Sequence, residues 1–453
     1  MSARTTWGLS LLAMLATATA NAQSMDDLFG DDLPKKAAPA ASAAKPPAEG
    51  GLRFSGSLEA KAAYTMPKPE HWSNLRLRGL LNAQGGSGNV KWKLGARADG
   101  DAAYAGMNED IYPAPVRKDQ KLGFELRENY ADVELGDVGL RLGKQHIVWG
   151  EMVGLFVADV VSPRDRRDYL SLELEPIRRT QWAARAEHFA GDWHSEVVLI
   201  PVQTYDKIGK PGADFYPYPT PPTPGYAYVI NDEQRPERNA SNMGGGLRSG
   251  FIKNGWDVSG FAYISRDVAP TYERQVVTGP TPATIYTPVH DRIRQFGGTV
   301  SKDLDGVVLK AEGVYTNGRR FTVNRLDDAD GLLAADSFDY AVGADFTLPA
   351  DLNLYLQLTQ RVLTRHDVSM NNDKVESGGS VVLKRGWGNW ESSVLWASSL
   401  NRNEGWVNTQ ISYRLRPNSR IRFGAEWFYG PATGYFGRYD ANDRVWTEFQ
   451  QSF

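Results

Sequence analysis

The chain has 453 residues, a formal charge of −3, 41% hydrophobic residues, a mean hydropathy of −0.44 and no cysteine. So small a charge excludes a general nucleic-acid binder, the low hydropathy excludes a bundle of transmembrane helices, and the missing cysteines exclude a disulfide framework or a lipobox anchor. The same values suit a transmembrane β-barrel, where only alternate residues meet lipid, and 45 glycines, 20 tyrosines and 13 tryptophans fit strands, turns and interfacial aromatic belts.

Residues 1–22 read as a secretory signal: Arg4 is the positive start, Trp7 to about Ala16 is the apolar run, and Ala20-Asn21-Ala22 supplies small cleavage residues. Residues 23–50 form a separate segment. An acidic cluster around Leu28 and Phe29 is followed by an Ala/Pro/Lys stretch that cannot bury a core. It is either a disordered periplasmic tether, a docking peptide (residues 25–33) for a periplasmic partner, or a plug for a lumen.

From residue 51 to 453 the text is hairpins. Strands are predicted near 52–64, 73–84, 89–100, 121–136, 138–149, 180–190, 193–204, 242–253, 256–267 and 291–302. They continue near 306–317, 337–348, 352–363, 375–385, 389–399, 404–416, 419–430 and 443–453. Alternation is clean in Tyr340, Val342, Ala344, Phe346 and Leu348, and again in Ile421, Phe423, Ala425, Trp427 and Tyr429. Every other link is a tight turn, such as Gly136-Asp137, Gly191-Asp192 and Pro417-Asn418, and the intervening links are mostly long. The long ones fall near 101–120, 150–179, 205–241, 268–290, 318–336 and 431–442. Short periplasmic turns and long outer loops are the asymmetry of outer-membrane barrels. The expected fold is therefore all-β, an antiparallel transmembrane barrel of about 18 strands (16 to 18). The last nine residues, Val445 to Phe453, alternate and end on an aromatic, as a strand that must close on the first would.

With the apolar face toward lipid, Arg53, Glu59 and Lys61 point inward on the first strand, Arg76 and Arg78 on the second, and Lys91, Lys93, Arg97 and Asp99 on the third. Arg414, Arg420, Arg422 and Glu426 do so near the far end. Closure joins these strands into one wall dominated by positive charge. Two readings stand: an anion-attracting path, or charges that solvate a wet lumen and pair across strands. The loop 150–179 carries Arg164, Asp165, Arg166, Arg167, Asp168, Arg178 and Arg179. It either covers the outside or folds in as a constriction, and its arginines serve either anionic ligands such as lipopolysaccharide or their own aspartates. Loop 205–241, rich in Pro and Tyr, reads as a rigid surface loop or a stacking surface for sugars or apolar ligands.

The most specific local text is Arg127-Glu128-Asn129-Tyr130, then Gly143-Lys144-Gln145-His146-Ile147-Val148-Trp149-Gly150-Glu151, then Ser162-Pro163-Arg164-Asp165. It resembles a large proteobacterial family of outer-membrane barrels with an Arg-Glu-x-Tyr strand, a Gly-Arg-Gln-x-x-x-Trp-Gly-Glu strand and an Asn-Pro-x-Asp loop. Here Lys144 stands for the usual Arg and Ser162 for the usual Asn. More distantly the layout is similar to the alginate-export porins, with 18 strands and an arginine-rich lumen. The resemblance implies a porin, with transport of hydrophobic or lipid-like compounds through an export system as one role and exopolysaccharide export as another. It singles out Gln145, Trp149 and Glu151, either as substrate contacts or as anchors of the following loop.

Six histidines show no metal-ligand spacing, and no Gly-x-Ser-x-Gly elbow occurs. The expectation is a non-enzymatic outer-membrane channel without cofactor or metal, in contact with outer-membrane lipid and lipopolysaccharide. Anionic solutes or an anionic polymer are the first cargo. Hydrophobic cargo, or an adhesin or structural barrel, are the alternatives.

Overall fold

The computed structural model describes residues 51–152, 157–168 and 177–453. The signal at 1–22 and the segment 23–50, with the proposed docking peptide at 25–33, lie outside the described residues.

Eighteen antiparallel strands form a single closed ring. They are β1 (Arg53–Thr65), β2 (His71–Ser87), β3 (Val90–Asp101), β4 (Leu122–Leu135), β5 (Val138–Gln145), β6 (Gln181–Ala190), β7 (Trp193–Val202), β8 (Gly244–Lys253) and β9 (Trp256–Arg266). The second half comprises β10 (Arg292–Asp303), β11 (Val307–Asn317), β12 (Ser337–Leu348), β13 (Leu352–Leu363), β14 (Val375–Trp387), β15 (Trp390–Ser399), β16 (Gly405–Arg416), β17 (Ser419–Tyr429) and β18 (Arg444–Ser452). Each pairs with its neighbours in sequence, and β18 pairs with β1 from Ser57↔Ser452 to Thr65↔Arg444. Phe453 adds two backbone bonds with Gly56, at 2.9 and 3.0 Å. Closure satisfies every edge that hydrocarbon would leave unpaired.

The strand rows sort by polarity. Leu77, Leu81, Leu247 and Phe296 stand exposed on the outer surface, whereas the charged residues of β1–β3 face inward. Strand β5 is shorter than the alternation suggests. It leaves the wall after Gln145, and Ile147 and Trp149 are buried inside the barrel with Ala158, Val161, Val198, Ile200, Phe261 and Tyr263. The run His146–Trp149 imitates a strand because alternate residues, Ile147 and Trp149, are buried against the inner face of the wall while Val148 is exposed.

The long loops also carry structure. A three-stranded sheet joins 227–230, 271–277 and 283–289, a two-stranded ribbon joins 320–322 and 332–334, and a short helix covers 114–120. Tyr216 of the Pro/Tyr loop packs with Tyr104, Tyr112, Tyr272 and Tyr286, and Phe215 reaches the inner face beside Trp406, Phe428 and Tyr439. Its aromatic rings at 215 and 216 therefore build an outer cap rather than an open stacking surface.

Gly246 in β8 is where Trp149 approaches the wall. A Cβ there would meet Ala262 O at 2.5 Å, Tyr263 Cδ2 at 2.9 Å and Trp149 Cη2 at 3.0 Å. Gly246→Val is expected to destabilise the refolded barrel by about 1–3 kcal/mol, read as a lower urea midpoint, and a midpoint equal to wild type would show that Trp149 is not held there.

Candidate functional site

The loop after β5 begins as a set of anchors. Gln145 is fully buried and donates to Ala183 O at 3.1 Å. Trp149 donates from Nε1 to Glu196 at 2.8 Å and packs on Phe261 with ring centroids 5.2 Å apart. Glu312 of β11 then gathers three backbone N–H groups, those of Met152 and Ala158 at 2.8 Å and that of Glu151. Glu151 itself accepts from Thr299 of β10 at 3.3 Å and lies 3.6 Å from Arg248. The three motif residues thus hold the start of the loop against the wall formed by β6–β11.

Farther along the loop, Asp168 touches the opposite wall. It lies 2.7 Å from Arg444 of β18, 3.4 Å from Lys61 of β1 and 3.6 Å from Arg76 of β2. In a ring of 18 strands, β11 faces β2. The loop therefore crosses the lumen, and of the two expected placements it takes the inward one. Its arginines hold the crossing together. Arg164 and Arg178 converge on buried Asp159 at 3.6 and 3.1 Å, Arg166 reaches Asp206 at 2.7 Å, Arg167 grips Asp165 at 2.8 Å, and Arg179 reaches Glu125 of β4 at 3.0 Å.

The wall facing Asp168 is the one assembled by closure. Arg76 pairs with Glu59 at 2.7 Å, Arg78 with Asp99, and Arg97 with Asp99 and Glu125 at 3.1 Å each and with Asp165 at 3.7 Å. Arg444 pairs with Glu426 at 2.6 Å and Arg422 with Glu448. Nearer the periplasm, Lys93 meets Glu128 at 2.5 Å, Lys91 meets Glu134 at 2.7 Å, and Arg420 donates to Gln450 at 3.1 Å. Arg53 and Arg414 are exposed at that end, Arg414 directly across from Arg420. A polar cavity of about 110 Å³ lies between loop and wall. Lys61, Arg76, Arg78, Arg97, Arg167 and Arg422 line it, opposed by Glu59, Asp99, Asp101, Asp165, Asp168, Glu426 and Glu448. The charges balance almost one for one, so this section is a paired array and not a bare positive wall.

Arg444, Glu448 and Glu125 are central here and did not stand out in the sequence. The signal for the first two was present, since Val445 and Phe449 facing lipid put Arg444 and Glu448 on the inner row. No comparable pattern ties Glu125 to Arg179, 54 residues away. Among the described residues no group of His, Asp and Glu is arranged to hold a metal ion.

Burial alone would push the loop carboxyls up. For Asp168 the charges of Arg444, Lys61 and Arg76 overcome it, and for Asp165 the Arg167 guanidinium does, so both sit well below the usual carboxylate range. A lowered folded-state value means that the stabilisation is fully present above the ordinary carboxylate pKa of about 3.9 and is lost only as pH falls through the lowered value. Conductance and selectivity in bilayers are expected to be unchanged from about pH 8 to about pH 5, and a transition inside that range would place another group in control. Asp168→Asn removes the anion from a cradle of three cations. It should raise the anion-to-cation permeability ratio by about two- to fivefold, and a shift toward cations would take Asp168 off the solute path.

The fold is shared with known outer-membrane proteins. OccAB1 of Acinetobacter baumannii is 8% identical, with a TM-score of 0.56 over 89% of this chain and 96% of that one. OccK2 (OpdF) of Pseudomonas aeruginosa, solved in complex with glucuronate, is 9% identical, with a TM-score of 0.51 over 89% of this chain and 98% of that one. A BenF-like porin from Pseudomonas fluorescens Pf-5 is 8% identical, with a TM-score of 0.51 over the same shares. At such identities the likeness shows an outer-membrane porin fold and nothing finer. No curated protein matches the sequence. The profile of a family described as "Protein of unknown function (DUF1302)" matches residues 68–411, most of the barrel, and the chain belongs to that family.

Proposed function

We propose that the protein is a selective channel of the Gram-negative outer membrane that passes small organic solutes bearing an anionic group. One observation carries this reading. The cradle of Lys61, Arg76 and Arg444 already holds a carboxylate, that of Asp168, on a loop that crosses the lumen. A solute carboxylate entering there competes with Asp168 for the same guanidinium and ammonium donors, so the cations stay paired while the Asp168 carboxylate is released. An anionic polymer suits the site less, because the loop is tied to both walls and would have to be displaced along its whole crossing. The balanced charges point to a filter for particular solutes more than to a general anion well.

The inner face of β13–β17 carries Tyr355, Val382, Leu395, Trp406 and Phe428, which on its own would favour an apolar track. Phe215, Phe436 and Tyr439 pack into that face, so it serves the cap and gives hydrophobic cargo no special support. OccK2 was solved in complex with glucuronate, which makes glucuronate a suitable first probe.

The test is the current through refolded protein in a planar bilayer under a salt gradient. Stable conductance is expected, reduced by millimolar glucuronate, with the block weakened at least about tenfold in Arg76→Gln/Arg444→Gln. Conductance that glucuronate leaves untouched, or that it blocks equally in the double variant, would overturn the proposal.

A further inference from the structure

The lipid-facing rows of the barrel follow a rule of charge. Among the described residues, every carboxylate within the 18 wall strands lies on an inner row, as the pairings of Glu59 with Arg78, Glu312 with Thr299 and Glu448 with Lys61 illustrate. The outward rows carry cations but no anions. Three of these cations sit together at the outer ends of two neighbouring strands. Arg266 of β9 lies opposite Arg292 of β10, and Arg294 lies opposite Ile264, one outward step away.

The level of this group follows from the strand. Ten residues separate Trp256, exposed at the periplasmic end of β9, from Arg266. Ten residues of a strand tilted at about 40° rise roughly 25 Å, the height of a barrel's apolar band. Directly below the arginines the outward residues are apolar: Ile264, Phe296 and, on β11, Tyr315. The arginines therefore stand where hydrocarbon gives way to headgroups, and a charge any deeper would be strongly disfavoured.

Two of them are held in place. Arg266 donates through Nε and an Nη to Asn242 Oδ1 at 2.9 and 2.7 Å, and through its other Nη to His290 O at 3.3 Å. Arg292 donates to Met243 O at 2.9 Å and is otherwise exposed. Arg294 stands exposed between them and the apolar rows. Of the nearby acids, Asp267 is engaged by Arg319 at 2.7 Å and Asp291 by Arg320 at 2.6 Å, while Asp336 accepts from the Tyr315 hydroxyl at 2.6 Å and from Asn317, opposite Arg294, at 2.9 Å. What is left at the membrane boundary is a triangle of guanidiniums above an apolar wall, with Arg292 and Arg294 exposed and Arg266 half-buried beside them.

We propose that Arg266, Arg292 and Arg294 form a docking site for the phosphorylated headgroup of an outer-leaflet glycolipid, whose acyl chains lie along Ile264, Phe296 and Tyr315. Guanidiniums bind phosphate oxygens through paired, charge-assisted bonds, and the apolar row beneath matches the chains that such a headgroup carries. A soluble anion would gain only the first of these contacts. The inference is independent of the cargo of the channel, because the triangle lies on the opposite face of the wall from the lumen.

Native mass spectrometry of the full, detergent-solubilised barrel tests it, with hexa-acylated bisphosphoryl lipid A and its dephosphorylated form as probes. Wild-type protein is expected to retain the bisphosphoryl form about a hundredfold better than Arg266→Gln/Arg292→Gln/Arg294→Gln does. Arg294→Gln alone, at an exposed position that leaves the fold intact, should lose about tenfold. Lys302→Gln, on the same outward row at the periplasmic end, should bind as wild type, and single-channel conductance should be the same in all variants. Equal retention by the triple variant, equal retention of the dephosphorylated lipid, or an equal loss in Lys302→Gln would overturn the proposal.

Discussion

Hydrocarbon offers a backbone no hydrogen-bond partner, and the architecture of this protein follows from that constraint. A sheet in lipid must have no edge, so β18 returns to β1 and the chain end bonds to Gly56. Closure also decides the neighbours of the first strands. It sets Arg444 and Glu448 beside Lys61 and joins β16–β18 to β1–β3 as one inner wall. Because the outward rows must be apolar over most of their height, the charges of these strands have only the lumen to enter.

A lumen loaded in this way needs compensation. Breaking a buried ion pair by removing one partner costs about 3–5 kcal/mol, since the charge left behind is neither hydrated nor paired. Many cations of the wall therefore have a carboxylate across the ladder, Arg76 with Glu59 and Arg422 with Glu448 among them. Where strand carboxylates are too few, the loop after β5 supplies Asp165 and Asp168. The ion network and the constriction are thus one device. The loop is drawn across by the charge of the far wall and kept from sliding by Glu312 and Trp149 on the near one. The same logic leaves Arg266, Arg292 and Arg294 as outward cations at the outer ends of β9 and β10, with no strand carboxylate on their row.

Local signals are read well where one physical demand acts alone. Alternation, tight turns and the even strand number all answer to lipid on one side and water on the other, and each is legible from residues close in sequence. The strand at 138–149 shows the limit. Ile147 and Trp149 keep a strand-like alternation because they are buried, and sequence periodicity does not distinguish burial in lipid from burial beneath Phe261 and Tyr263. The loop at 205–241 is a similar case, since Tyr216 and Phe215 are as apolar in a surface loop as in the cap they build.

The sequence by itself determined that this chain is a barrel, that it has about 18 strands (16 to 18), and the inward row of most of its charged strands, because period-two alternation is written in neighbouring residues. Only the tertiary structure decided that most of the basic wall is paired with carboxylates, that the loop crosses to meet it, and that Gln145, Trp149 and Glu151 bond to the wall of β6–β10. Each of those depends on pairs such as Asp168 with Arg444 or Glu312 with Ala158, far apart in the chain. Charge pairing acts through space, and the barrel must close before the partners meet.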